Sequence, residues 1–145
     1  MLSELRGEWR EGWYVVPHHV IYRDLDTFGH VNHATFFTYF EWSRALLWWE
    51  FTGIAGPREI GFIVAHASCD FRRQLGLEPI DICVRINDMR TTSMDFHHEI
   101  RKRDGNDVAA SGKVTVVLFD WARQSKIAIP DELRKKVEEW NTAGF

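Results

Sequence analysis

The segment from His33 to Phe51 reads HATFFTYFEWSRALLWWEF, and it limits the possible folds more than any other part of the chain. Phe36, Phe37, Phe40, Leu47, Trp48 and Phe51 fall at helical spacing, and apolar side chains extend almost all the way round. Only a narrow stripe through Thr38, Glu41, Ser43, Arg44 and Glu50 is polar. Asn32 is a suitable N-cap and Gly53 a suitable stop, which predicts a helix from about Asn32 to Phe51. A helix this apolar must be buried on most of its circumference, so the rest of the chain has to wrap it.

The wrapper is legible as strands. Trp13 to Tyr22 supplies β-formers around Pro17, which confines that strand to an edge or makes its first half irregular. Arg23 to Gly29 is a polar turn. Gly61 to Phe71, Ile80 to Asp88, Ser93 to Lys102 and Val108 to Trp121 read as four further strands, with the Asp-Gly turn RDGND before the last. Pro130 to Trp140 reads as a short amphipathic helix with Asp131 and Glu132 in its first turn. The expectation is an α+β fold, an antiparallel five-stranded sheet curled round one long central helix with a short C-terminal helix. At 145 residues, with no repeats or linkers, residues 1–145 are expected to form a single domain.

Charge and cysteine content narrow the function. The formal charge is −3 without a strongly basic stretch, which argues against a nucleic-acid partner. Met1 to Glu11 has no apolar run and does not read as a signal peptide, and no stretch approaches the length of a membrane span. Cys69 and Cys83 lack metal-ligand spacing and read as reduced core thiols, so the expected location is cytoplasmic. Motifs for a serine nucleophile elbow, a dinucleotide loop or a phosphate loop do not occur.

The segment YRDLDTFGHVNHATFFTYFEWSR, Tyr22 to Arg44, resembles the 4-hydroxybenzoyl-CoA thioesterase superfamily of hotdog proteins, and most closely the Tol-Pal-associated acyl-CoA thioesterases. MRTTSMDF, Met89 to Phe96, is similar to that family's turn and fourth strand. The resemblance implies a hotdog fold and hydrolysis of an acyl thioester to a carboxylic acid and free coenzyme A thiol. It also implies a catalytic constellation that falls here on Tyr22, Asp26 and His33. No cofactor is implied, coenzyme A entering only as part of the substrate.

Chemistry supports that assignment. A thiolate leaves readily, since a free thiol's pKa is only about 8.5. Hydrolysis therefore needs mainly an activated water or carboxylate nucleophile and donors for the oxyanion. Asp26, just before the helix, can supply the first. The backbone N–H groups of Val31, Asn32 and His33 at the helix N-terminus are the candidate oxyanion donors. Among basic residues near strand ends, Arg73 and Arg90, with Thr92 and Ser93 beside the latter, are the substrate-binding candidates.

Other roles compete at several positions. Asp26, His30 and His33 form a D-x-x-x-H-x-x-H string that could ligate a metal, although no metal is expected. Asp24 is expected to be structural, and Glu41 to pair with Arg44 at i+3 rather than act as a base. A hydratase or dehydratase acting on acyl thioesters, and a non-catalytic acyl-CoA-binding protein, stay open as alternatives. A homodimer or homotetramer is expected, because Trp42, Trp48 and Trp49 are too large to leave exposed and one sheet covers only one side of the helix. The resemblance implies two sheets joined edge to edge, with groups from each subunit facing the other's Asp26.

Overall fold

The computed structural model describes residues 6–53 and 61–143. Strands β1 (Glu8–Arg10) and β2 (Trp13–His19) lead through a 3-10 turn at Tyr22–Asp24 into α1 (His33–Thr52). Then follow β3 (Gly61–Phe71), β4 (Pro79–Asn87), β5 (Ser93–Lys102), β6 (Val108–Asp120), β7 (Ser125–Lys126) and α2 (Asp131–Ala143). The sheet order is β1-β2-β4-β5-β6-β3 with β7 paired to β6, and every pairing is antiparallel.

Seven strands form among the described residues, rather than five. The two additional ones, β1 and β7, are three and two residues long, too short to show an alternating pattern in sequence. The first long strand also ends at His19, and Tyr22 sits in the 3-10 turn instead. Pro17 pairs opposite Asp81 of β4, while β1 covers β2 only as far as Val15, so the proline occupies a stretch with one open side.

Helix α1 starts and stops where its sequence directs. The Asn32 side chain accepts from Ala34 N–H, and Gly53 takes the left-handed conformation at φ 70° with its N–H bonded to Trp49 O. Phe36, Phe40 and Leu47 are buried against the inner face of the sheet, which presents Ile82 and Val84, Phe96 and Ile100, and Val114 and Val116. Each such large apolar side chain contributes roughly 1.5–3 kcal/mol. Gly112 of β6 leaves room for the Phe40 ring, since a Cβ there would meet that ring at 2.5 Å and Ser68 O at 2.7 Å.

Two sides of the molecule are finished differently. Leu133 and Val137 of α2 are buried, and Trp140 packs against both Trp9 of β1 and Phe51 of α1 at 4.2 Å. At the other edge, β3 pairs only with β6 among the described residues, is broken by a bulge between Val64 and His66, and is exposed along most of its length. The tryptophans do not behave as expected. Trp48 is buried within the single chain, edge-on to Phe62 at 5.2 Å, and Trp42 and Trp49 are half-buried against each other. Trp48 thus finds cover within the chain and Trp42 and Trp49 find it only in part, while β3 leaves most of its residues exposed. No helix among the described residues is long and apolar enough to cross a membrane.

Candidate active site

The loop between the 3-10 turn and α1 is folded around Asp26. Asp26 N–H donates to His30 O at 2.8 Å, and its Oδ1 accepts from Phe28 N–H at 2.9 Å and His30 N–H at 3.4 Å. A side chain that satisfies two local N–H groups this way replaces a backbone turn. Gly29 takes φ 81° at the tip, a conformation that costs glycine nothing. Oδ2 of Asp26 has no hydrogen bond to any described residue.

Asp24 fastens the loop to the helix. Its Oδ2 accepts from Ile21 N–H at 3.1 Å and from the Tyr39 hydroxyl at 2.7 Å, and its carbonyl accepts from Asn32 N–H at 2.9 Å. Burial, reinforced by the Asp24 carboxylate, pushes the Tyr39 phenol far above its ordinary pKa, so it keeps its proton and donates. Asp24 is therefore part of the scaffold, and its tie to Tyr39 carries no local sequence signal, because the two lie fifteen residues apart.

In front of this loop lies a cavity of about 250 Å³. Phe28, Phe36 and Phe71 form its apolar walls, and Asp26, His30, His33 and Arg73 its polar ones. The Phe71 ring meets Phe36 edge-on at 5.1 Å and His33 at 6.3 Å. Phe71 and Gln74 also line this cavity and were not singled out in the sequence, where one reads as a strand end and the other as loop.

Asp26, His33 and Arg73 are thus brought together, and other candidates are not. Tyr22 is 82% exposed and lies outside the cavity. Arg90, Thr92 and Ser93 sit at the β4–β5 turn and are occupied with the sheet. Arg90 binds Asp95 at 2.7 Å and Ser93 Oγ at 2.8 Å, and Thr92 O accepts from Leu118 N–H. Two expected oxyanion donors are also consumed, since Val31 N–H bonds Leu75 O at 2.8 Å and Asn32 N–H bonds Asp24 O. Of the three, only His33 N–H has no such partner. The helix terminus is thus mostly capped from within, which the sequence does not reveal because Leu75 is distant in the chain.

The i+3 pair is a further correction. No Glu41–Arg44 ion pair within 4.0 Å forms among the described residues, and Glu41 acts on Arg44 only as a nearby charge. Asp26, His30 and His33 share the cavity, but among the described residues only Asp88, Asp95 and His97 gather donor atoms within 4.8 Å of one another. Cys69 and Cys83 are free thiols, pushed up to about 11 and about 12 by burial.

A model of the thioesterase-like superfamily matches residues 6–137. The chain belongs to the thioesterase-like superfamily. Its fold recurs in solved members and relatives at low identity. A thioesterase from Thermus thermophilus complexed with coenzyme A and Zn superposes with a TM-score of 0.75 at 24% identity, over 90% of this chain and 95% of that one. A Staphylococcus aureus protein in complex with CoA gives 0.82 at 11% identity, over 94% and 88%. A 1,4-dihydroxy-2-naphthoyl-CoA thioesterase from Synechocystis gives 0.75 at 15%, over 88% and 96%. At these identities the likeness establishes the hotdog architecture of the superfamily. No curated protein sequence matches the chain.

Proposed function

We propose that the chain hydrolyses acyl-CoA thioesters with Asp26 as the reacting carboxylate. The observation that carries this reading is the position of Asp26 on the cavity wall, in the loop before α1, held by two backbone N–H groups through Oδ1 while Oδ2 has no hydrogen bond to any described residue. A carboxylate fixed on one oxygen and free on the other is oriented without being neutralised. Oδ2 either takes the proton of an attacking water or attacks the carbonyl itself. In either route a tetrahedral oxyanion develops, His33 N–H is the donor assigned to it, and collapse expels the coenzyme A thiolate; in the second route a water then cleaves the acyl–Asp26 anhydride, which releases the carboxylic acid and frees Asp26. Phe28, Phe36 and Phe71 then face the acyl group, and Arg73 offers a cation to the polar portion of the substrate.

Asp26→Asn tests this directly. The variant is expected to fold and to lose hydrolysis by roughly 10²–10⁴-fold across a panel of aryl, short-chain and long-chain acyl-CoAs, read with a thiol-trapping dye. A folded variant with near-wild-type turnover removes Asp26 from the reaction. Activity that survives exhaustive chelation is expected as well, since the reading needs no metal.

The working unit is a homodimer joined through β3. In support, this strand leaves one backbone edge without a strand partner among the described residues, a surface that proteins normally cover, twist away or pair. Substrate-binding roles for Arg90, Thr92 and Ser93 fit such a unit only if they serve the cavity of the second subunit. Analytical ultracentrifugation at micromolar concentration decides the matter, and a fully active 17.0 kDa monomer overturns the dimer.

A further inference from the structure

Arg44 is a largely buried charge that makes no ion pair among the described residues, and its Nε is wholly out of water without a hydrogen bond. It lies one helical turn before Trp48, which packs on Phe62, so it belongs to the flank of α1 that faces β3. The residue is only 6% exposed, its Nε makes no hydrogen bond, and no carboxylate oxygen comes within 4.0 Å of its guanidinium among the described residues. Neighbouring polar groups do not relieve it. The Ser43 hydroxyl donates to Phe40 O and meets His98 Nδ1 at 3.3 Å, while His98 is itself fully buried and stacked on Phe40. Burial lowers the Arg44 pKa to about 10, which still leaves the side chain cationic at neutral pH.

An arginine removed from water without an acceptor is costly, and a planar carboxylate is the group its fork fits best. Glu41, one turn earlier on the helix, is exposed and forms no ion pair among the described residues. The same flank therefore carries one cation and one anion, three residues apart, that make no ion pair among the described residues. A surface carrying both signs once is complementary to itself under a two-fold rotation, because each copy's cation then meets the other's anion.

We propose that Arg44 is neutralised by Glu41 of a second copy of this chain, and Glu41 by Arg44 of that copy, forming two equivalent ion pairs beside β3. The inference rests on the dimer reading above and names the contact that selects the partner. The bare β3 edge offers hydrogen bonds in many registers. The paired charges reward only the register that brings both together, so their contribution is specificity of alignment.

Charge reversal tests the pairing. Glu41→Arg alone and Arg44→Glu alone each place like charges at both contacts, and each is expected to weaken self-association by about tenfold or more in sedimentation, with far-UV circular dichroism unchanged. Mixed in equal amounts, the two variants put opposite charges at both contacts and are expected to recover a heterodimer at the wild-type concentration. A pair inside one chain would give no recovery on mixing, and that result overturns the proposal. If Arg44→Glu cannot be purified folded, the double variant Glu41→Arg/Arg44→Glu replaces it and must regain the association that Glu41→Arg loses. A wild-type dimer that Glu41→Arg leaves equally tight eliminates the ion pair while the dimer stands. A monomeric wild type eliminates both.

Discussion

On one flank of α1, Trp9, Tyr14, Phe51 and Trp140 stack ring against ring, and α2 closes over them. On the other flank, β3 runs largely exposed beside a helix whose buried Arg44 makes no ion pair among the described residues. The first flank is complete in a single chain, and its interactions serve folding. The second, on the dimer proposed above, is completed by a second copy. A substitution should therefore change either the stability of the monomer or the affinity between copies, according to the flank it touches.

The largest effect is expected from Phe51→Ala on the closed flank. The side chain is 4% exposed and touches two tryptophans, so its removal should cost about 3–5 kcal/mol. Chemical denaturation should give the same loss at every protein concentration; a concentration-dependent loss would break the distinction between the flanks. Tyr39→Phe comes next. It deletes the hydroxyl that donates to Asp24 and should cost about 1.5–3 kcal/mol, with a fall in turnover as the Asp26 loop loosens. Turnover unchanged at full substrate saturation would show that this tie does not orient Asp26.

Asp95→Asn probes the sheet centre between the flanks. The hydrogen bond from Arg90 holds the Asp95 carboxyl below its ordinary range, so the charged form stabilises the fold above the unfolded value of about 3.9. That contribution disappears as pH falls through the lower folded value. The variant should lose about 1 kcal/mol at neutral pH, the difference between a charge-assisted and a neutral hydrogen bond. The gap should close below about pH 4; a gap that persists in acid would assign it to packing. The smallest change in monomer stability is expected from Val64→Lys on β3, within about 0.5 kcal/mol, because Val64 is exposed. Its effect should appear in self-association, where an edge lysine blocks strand pairing.

The sequence was most informative where local chemistry decides structure. Asn32 and Gly53 bound α1, and the Asp-Gly turn bounds β6, because caps and turns are written in one or two residues. The same holds for Asp26, whose loop is made by its own side chain. Less was legible wherever a distant residue acts. Leu75 takes the Val31 N–H that looked available for an oxyanion, Phe71 walls the cavity from the far end of β3, and Tyr22 turns outward instead of continuing a strand. The tryptophans were misleading for a similar reason: size alone says they need cover, and only the folded chain says that Phe62 provides it for Trp48.

The ties between Asp24 and α1 have a consequence for the order of assembly. Tyr39 is fifteen residues from Asp24 and Asn32 is nearer still, so closing this loop needs only a short excursion of the chain. The strand pairs around it join much more distant segments, β2 with β4 and β3 with β6, and such pairings are slow to find. The segment from Ile21 to Tyr39 can thus acquire its shape as α1 forms, before the sheet has closed. The Asp26 carboxylate is then set in place by its own neighbourhood, and the sheet closes over a loop already arranged.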